Sequence, residues 1–251
     1  MSQRKRPGTI RTGTLIVRRE LGQYTTTWSG YIITAGMLLV LGLAYNVWAV
    51  GAEARYSADV LNNFFYLASG ITLVGGTLLS MRLIAEERSQ GTYPMLATSA
   101  LTEGQVIIAK YVAAMIPIIV FLALSVYMPL LIYVNGRVSA AHIGAGYLGL
   151  LLIGSAGVAI GLFGSSLVKS QLVAVIVSLI ICGVGVLLWM TARIVDGPLG
   201  DILAGMTLHG RHFFPFQDGI ISSANVIYYL SVTAFFLMLA RNVLESRRWR
   251  P

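Results

Sequence analysis

Residues 85–98 read AEERSQGTYPMLAT and open the one long polar connection on the lysine- and arginine-rich side of this chain. Gly91 is placed to end the preceding helix, because glycine readily takes the left-handed conformation found just past helix ends. Thr92 and Pro94 suit the start of a new short helix, as its N-cap and its first-turn proline. This short helix is predicted to present three apolar side chains, Tyr93, Met95 and Leu96.

A further helix is predicted to begin a few residues later. Residues 102–105 read TEGQ, the capping-box pattern of Ser or Thr followed three residues on by Glu or Gln. The new helix therefore starts near Glu103. From the residues alone, two interpretations of the connection stay open. It could be an apolar knob that docks onto a soluble partner, or an ordinary loop that lies on lipid headgroups.

Apolar runs make up most of the remaining sequence. Of 251 residues, 56% are hydrophobic and 11% charged, with a mean hydropathy of +0.76. These values exclude a soluble domain and predict an all-α integral membrane protein, with one transmembrane domain over residues 1–251. The charges fall between the apolar runs, so the net charge of +8 indicates a lipid bilayer as partner and no nucleic acid. Six spans are predicted, at about 31–50, 64–84, 105–134, 143–167, 172–191 and 225–240.

The basic residues predict the orientation of these spans. Of the 18 lysines and arginines, 14 fall on the side of both termini and of the 85–104 connection. The other four fall on the opposite side and are Arg55, Arg137, Arg193 and Arg211. Because basic residues accumulate on the cytoplasmic side, the sequence predicts a multi-pass protein of the cell membrane with both termini in the cytoplasm.

Two segments outside the spans have patterns of their own. Within residues 1–29, Val17, Leu21 and Tyr24 continue an apolar stripe with most arginines off it, which predicts an amphipathic interfacial helix. The outer loop, residues 192–224, is semi-apolar but too broken by glycine and proline to span. A pair of short re-entrant or interfacial helices is expected there, before span 6.

Two spans carry unusual internal features. Span 3 is longer than a ~30 Å hydrocarbon core requires at ~1.5 Å per residue, so it must tilt, project, or kink at Pro117 or Pro129. Span 4 has four glycines spaced three, four and three residues apart, which permits close helix packing on one face. These glycines are Gly154, Gly157, Gly161 and Gly164.

Several kinds of chemistry are not visible in the sequence. It has no G-x-x-x-x-G-K-[ST] phosphate loop, and no carboxylate falls at the centre of a span, as a proton- or sodium-coupled transporter would need. His209, His212 and Asp218 are the one cluster that suggests a metal, but polar caps in a folded loop are the favoured interpretation. No catalytic, cofactor-binding or metal-binding residue is therefore predicted in this chain.

The connection resembles a known family. Glu87-Arg88-x-x-Gly91-Thr92, then Leu96-x-Thr98, then Lys110 is similar to the loop between spans 2 and 3 of type-2 ABC-transporter permeases. In that family this loop is the coupling region that touches the ATPase subunit. Pro94 and Ala100 depart from the family pattern, which commonly has an acidic residue and a proline at these positions.

The last third of the chain carries a second resemblance. His212-Phe213-x-x-Phe216-x-x-Gly219-Ile220, the run from Asn225 to Ser231 and the ending Leu244-Glu245-Ser246-Arg247-Arg248 resemble the final span of gliding-motility and copper-maturation ABC permeases. Together the two resemblances imply a permease subunit of an ATP-driven exporter. Its implied partners are ATPase subunits that bind ATP and magnesium, a second permease copy or paralogue, and an auxiliary extracytoplasmic subunit in some assemblies.

The resemblance also implies which residues form the coupling interface. Glu87 and Arg88 would pair with charges of the ATPase, Gly91 and Thr92 would set the turn, and Leu96 would fill a pocket. The full predicted interface is Glu87, Arg88, Gly91, Thr92, Tyr93, Met95, Leu96, Thr98, Glu103 and Lys110. Two alternatives remain, a non-translocating scaffold of an ABC-type complex and an integral membrane enzyme. The substrate and the choice between homodimer and heterodimer are left open by the sequence.

Overall fold

The computed structural model describes residues 17–22, 24, 28–51, 56–91, 102–136, 138–195 and 197–248, and no strand occurs in these ranges. A π-helical segment, Tyr45–Val50, continues the first helix. The helices are α1 (Trp28–Ala44), α2 (Ser57–Ser80), α3 (Arg82–Ser89), α4 (Glu103–Ser125), α5 (Tyr127–Asn135), α6 (Ala140–Leu167), α7 (Gln171–Ala192), α8 (Pro198–Gly205), α9 (Phe214–Gln217) and α10 (Ser223–Arg248).

Six helical segments in the described part of the chain are long and apolar enough to cross a membrane, as the sequence predicts, and they indicate a multi-pass membrane protein. We call them spans 1 to 6. Their bounds are Gly30–Val50, Ser57–Ser89, Glu103–Val134, Ala140–Leu167, Gln171–Ala192 and Ser223–Ser246. Residues 17–22 are also helical and lie at the end of the bundle that holds α3 and the start of span 3, which we call the basic end.

Span 4 is the centre of the bundle. In its most apolar window 83% of the residues are buried, against 22% in each of spans 1, 5 and 6. Spans 2 and 6 make its most extensive contacts. The outer spans instead turn rows of leucine, isoleucine and valine outward, as helices facing lipid do.

The glycines of span 4 explain how its neighbours come so close. A Cβ on Gly157 would lie 2.6 Å from the carbonyl oxygen of Leu73, and one on Gly161 would lie 2.8 Å from the Cα of Thr77. Gly154 faces span 2 as well, whereas Gly164 lies against span 5, where a Cβ would be 3.1 Å from the Ala174 oxygen. Three of the four glycines therefore face span 2, of which Gly154 also faces Ile118 of span 3, and the fourth faces span 5.

Hydroxyl groups join spans 3, 4 and 6 inside the bundle. The Tyr111 hydroxyl lies 2.6 Å from Ser155 Oγ, and Ser155 Oγ lies 2.9 Å from Thr233 Oγ1. Each hydroxyl can donate one hydrogen bond and accept another. The three side chains thus satisfy one another in an interior where an unpaired polar group is costly.

Span 3 is broken at one of its two prolines. The helix ends at Ser125 and a new one starts at Tyr127, whereas Pro117 stays inside an unbroken helix. A proline ring clashes with the carbonyl four residues before it, and Ser125 stands four residues before Pro129. Of the two predicted sites, Pro129 is the one at which the helix is interrupted.

The segment between spans 5 and 6 folds back into the bundle. It contains the two short helices α8 and α9, in keeping with the predicted pair, while the expectation that they re-enter the membrane stays a prediction. Between them, the Leu208 amide donates to the Gly185 oxygen at 3.0 Å, and the Tyr229 hydroxyl donates to the Leu208 oxygen at 2.8 Å. Leu208 is thus held by both spans that flank the segment.

Span 2 begins earlier than predicted, at Ser57 instead of residue 64. Its first two turns contain Asp59, where a carboxylate favours a helix start, and Asn62, whose amide donates to Asp218 at 3.1 Å. This tertiary contact lets polar residues extend the helix. Span 2 also continues to Ser89, so the predicted connection at 85–104 starts within α3.

Candidate functional site

The helix of span 2 is interrupted at Met81, and a serine of span 4 bridges the interruption. Ser165 Oγ accepts hydrogen bonds from the amides of Ile84 and Ala85 at 3.0 and 2.9 Å. The same hydroxyl donates to the Met81 carbonyl at 2.7 Å. One side chain thereby satisfies three backbone groups at the start of α3. As a result α3 is a separate short helix attached to span 4.

The far end of α3 is also attached to span 4. Arg88 donates through a guanidinium nitrogen to the Ser166 carbonyl at 2.5 Å. Gly91 follows with φ of +69°, the left-handed conformation that the sequence predicts for a residue that ends a helix. The chain then enters residues 92–101, which lie outside the described residues.

A buried ion cluster joins α3 to span 3 and to the amino-terminal helix. The Lys110 ammonium lies 2.8 Å from a Glu20 oxygen and 2.9 Å from a Glu87 oxygen. It also donates to the Leu83 carbonyl at 2.6 Å. An ammonium has three N–H donors, and all three have an acceptor here. The Lys110 side chain is 1% exposed, and those of Glu20 and Glu87 are 5% and 11% exposed.

Beside this cluster, Tyr24 and Arg82 pack against each other. The Arg82 guanidinium carbon lies 4.4 Å from the centre of the Tyr24 ring, and the Tyr24 hydroxyl donates to the Leu79 carbonyl at 2.7 Å. Burial raises the pKa of the Tyr24 phenol, which keeps its proton available for that bond.

The predicted interface residues fall into two groups. Glu87 and Lys110 are brought together, but both are buried and bonded within the chain, and Arg88 is committed to span 4. Glu103 is the first residue of span 3 and lies inside a complete capping box formed by Thr102 and Gln105. The remaining predicted residues lie outside the described residues and are Thr92, Tyr93, Met95, Leu96 and Thr98.

Sequence reasoning missed three members of this site, Glu20, Arg82 and Ser165. Glu20 had a signal, because it is the one acidic residue in an amino-terminal segment that holds six basic ones. Arg82 and Ser165 had none, since a serine near a helix end and an arginine after a span are common. The packing of spans 2 and 4 gives Ser165 its partners, and the packing of the amino-terminal segment gives Arg82 its contact with Tyr24.

At the opposite end of the bundle, the histidines and Asp218 are kept apart by different partners. His209 Nε2 lies 2.6 Å from Ser69 Oγ, and burial lowers the pKa of His209 to about 4. His212 lies between Asn225 and the Gly205 carbonyl, and Asp218 accepts from Asn62. Among the described residues no three of His, Cys, Asp and Glu group as a metal would require.

No protein-family model and no curated protein matches this chain. The motifs between spans 2 and 3 and in the last third therefore carry the family resemblance without support from a wider match. The structural feature most relevant to function is the attachment of α3 to three other segments.

Proposed function

We propose that this chain is the membrane-spanning permease subunit of an ATP-driven ABC exporter, coupled to separate ATPase subunits through the connection between spans 2 and 3. The six spans and the motif resemblance support the proposal. The observation that carries it is the attachment of α3. This short helix leads directly into the connection and is bonded to span 4, to span 3 and to the amino-terminal helix.

In this proposal the predicted interface residues have two different roles. Glu87 and Lys110 are positioning residues that fix the base of the connection, since their charged groups bond to each other. The contact with the ATPase falls to the apolar side chains further along, with Leu96 as the central one. Arg88 fixes the end of α3 against span 4, which replaces its expected role as a charge partner of the ATPase.

The proposed mechanism follows from these attachments. ATP binding draws two ATPase subunits together, and each moves the connection docked on it. Because α3 is a separate helix, such a movement reaches spans 3 and 4 through Lys110 and Ser165 without bending the whole of span 2. A second permease copy or paralogue faces the first, and the spans between them repack to open a path.

The proposal is tested by affinity purification of the full chain from its native membranes in mild detergent. We expect an ATP-binding subunit to co-purify with the wild-type chain and to be lost from Leu96→Asp. Leu199→Asp is the matched control, because Leu199 is 66% exposed on α8 at the other end of the bundle. Equal recovery of the ATPase with both variants, or no ATPase with the wild type, would overturn the proposal.

A second measurement separates export from scaffolding. The lysine of the ATPase phosphate loop is replaced, and export by the assembled complex is compared with assembly itself. An exporter loses its transport cycle but keeps the complex. A scaffold that translocates nothing would keep its cellular role with the mutant ATPase, and that result would contradict the exporter assignment.

A further inference from the structure

A cleft at the end of the bundle opposite the ion cluster is lined by groups that suit a cation. It has a volume of about 360 Å³, and a second hollow of about 390 Å³ adjoins it and shares Asn63 and Tyr66 with it. Trp48 stands in the second hollow and Phe214 in the first. The cleft lies where span 2 begins and α9 packs on it, far from the proposed coupling site.

The aromatic side chains of the cleft offer ring faces to a ligand. Tyr66 is 46% exposed and Trp48 is 62% exposed. The centres of the Tyr66 and Phe214 rings are 6.4 Å apart and their planes are tilted by 37°. Aromatic faces attract cations through their quadrupole. A neighbouring ring already does so, because the Arg193 guanidinium lies 4.2 Å from the centre of the Trp189 ring.

The polar groups of the cleft are rich in acceptors. The Asp218 carboxylate is exposed, and Asn62 orients it by donating to one of its oxygens. The Gln217 Oε1 atom is buried and has no hydrogen-bond partner among the described residues, although the backbone oxygen of the same residue is paired with His142. A buried acceptor left unpaired costs about 1–3 kcal/mol, so Gln217 Oε1 requires a donor from a ligand or from water.

Other charged side chains lie near the cleft. Asp59 precedes Asn63 by four residues on span 2 and so lies on the same helical face, which adds a second exposed carboxylate near the mouth. Two arginines, Arg193 and Arg211, stand in the segment between spans 5 and 6. Arg193 lies over the Trp189 ring.

We infer that this cleft binds a primary ammonium group, with Asp218 and Gln217 accepting its N–H bonds and Tyr66, Phe214 and Trp48 flanking it. A primary ammonium is favoured over a quaternary one because Gln217 Oε1 needs an N–H donor. The ethanolamine headgroup of a membrane lipid and a free amine share this chemistry. The site is independent of any ATPase, since its residues lie at the other end of the bundle.

Lipid retention by the purified full chain tests the inference. The chain is reconstituted with equal amounts of phosphatidylethanolamine and phosphatidylcholine of identical acyl chains, and bound lipid is counted by native mass spectrometry. We expect an ethanolamine preference of about tenfold, because the ethanolamine headgroup can make charge-assisted N–H bonds to Asp218 that the choline headgroup cannot make. Asp218→Asn should reduce the preference to about twofold or less. Asp201→Asn, on exposed α8, should keep it.

Two further arms identify the source of the amine and guard against misfolding. If free ethanolamine displaces the bound lipid, the cleft accepts soluble amines. If it does not while the lipid preference persists, the headgroup is the ligand; both results support the site. Tyr66→Leu, compared with Tyr56→Leu, tests the ring contact without touching the carboxylate and should lower the retention of both lipids, because a ring face attracts either headgroup cation. Equal retention of the two lipids by the wild type, an unchanged preference in folded Asp218→Asn, or unchanged retention of both lipids by folded Tyr66→Leu would overturn the inference.

Discussion

Replacing Lys110 by methionine is the most direct test of the ion cluster. The change removes the one ammonium between Glu20 and Glu87 while it keeps an unbranched apolar stem of similar length. Both carboxylates stay in an interior where their side chains are 5% and 11% exposed. The variant therefore leaves two like charges buried without the cation that lies between them.

The size of the effect follows from the distances. Each carboxylate oxygen lies within 2.9 Å of the Lys110 nitrogen, so the two oxygens are at most about 6 Å apart. At an effective dielectric constant of about 20, like charges at that separation repel by about 3 kcal/mol. Removal of one partner from a buried ion pair costs about 3–5 kcal/mol. We expect Lys110→Met to lower the free energy of unfolding by an amount in this range.

The assay is unfolding in mixed detergent micelles, followed by circular dichroism. Lys169→Met is the matched control, because Lys169 is exposed in the turn between spans 4 and 5. The triple variant with Glu20→Gln, Lys110→Met and Glu87→Gln has no buried charge left at the cluster and should recover most of the lost stability. If Lys110→Met unfolds like the control, or if the triple variant is less stable than Lys110→Met, the reasoning is refuted.

Three more variants test the packing and the polar contacts in the same assay. Gly157→Ala should lower the free energy of unfolding by about 1–3 kcal/mol, because the added methyl overlaps a span 2 carbonyl. Gly144→Ala, with open space around it, should be neutral. Equal effects of the two variants would contradict the close contact at Gly157. Ser165→Ala should cost about 2 kcal/mol or more, since three backbone groups lose their partner, and Ser170→Ala, at an exposed position, should cost little. Burial lowers the pKa of His209 to about 4, against about 6.5 in the unfolded chain. The contribution of His209 to the free energy of unfolding is therefore fully present above about pH 6.5 and decreases as the pH falls towards about 4. About 2 kcal/mol of this contribution is lost as the pH falls from about 7 to about 5. His209→Gln should therefore lose less stability than the wild type over that range, and a parallel loss would contradict the assignment.

The spans could be predicted because hydropathy is a local property of the chain. An apolar run such as 172–191 is recognised as a span whatever it packs against. The capping box at Thr102 is likewise recognised from residues only three positions apart. The start of span 2 could not be predicted, since Asn62 extends the helix through a contact with Asp218, 156 positions away. The ion cluster depends in the same way on Glu20 meeting Lys110, 90 positions later. The predicted residues Glu87 and Lys110 lie together in one buried ion cluster, and no local pattern in the sequence indicates this burial.

The hydroxyl chain through Ser155 has a consequence for biosynthesis. Tyr111 and Ser155 are both made before Thr233, which arrives with span 6. Until then one face of span 4 lacks its neighbour, and Ser155 is open to the lipid or to the insertion machinery on that side. Span 4 therefore meets this neighbour only when span 6 is inserted. A nascent chain that stops before span 6 would be recognised as incomplete by any quality-control factor that senses a polar group in the bilayer.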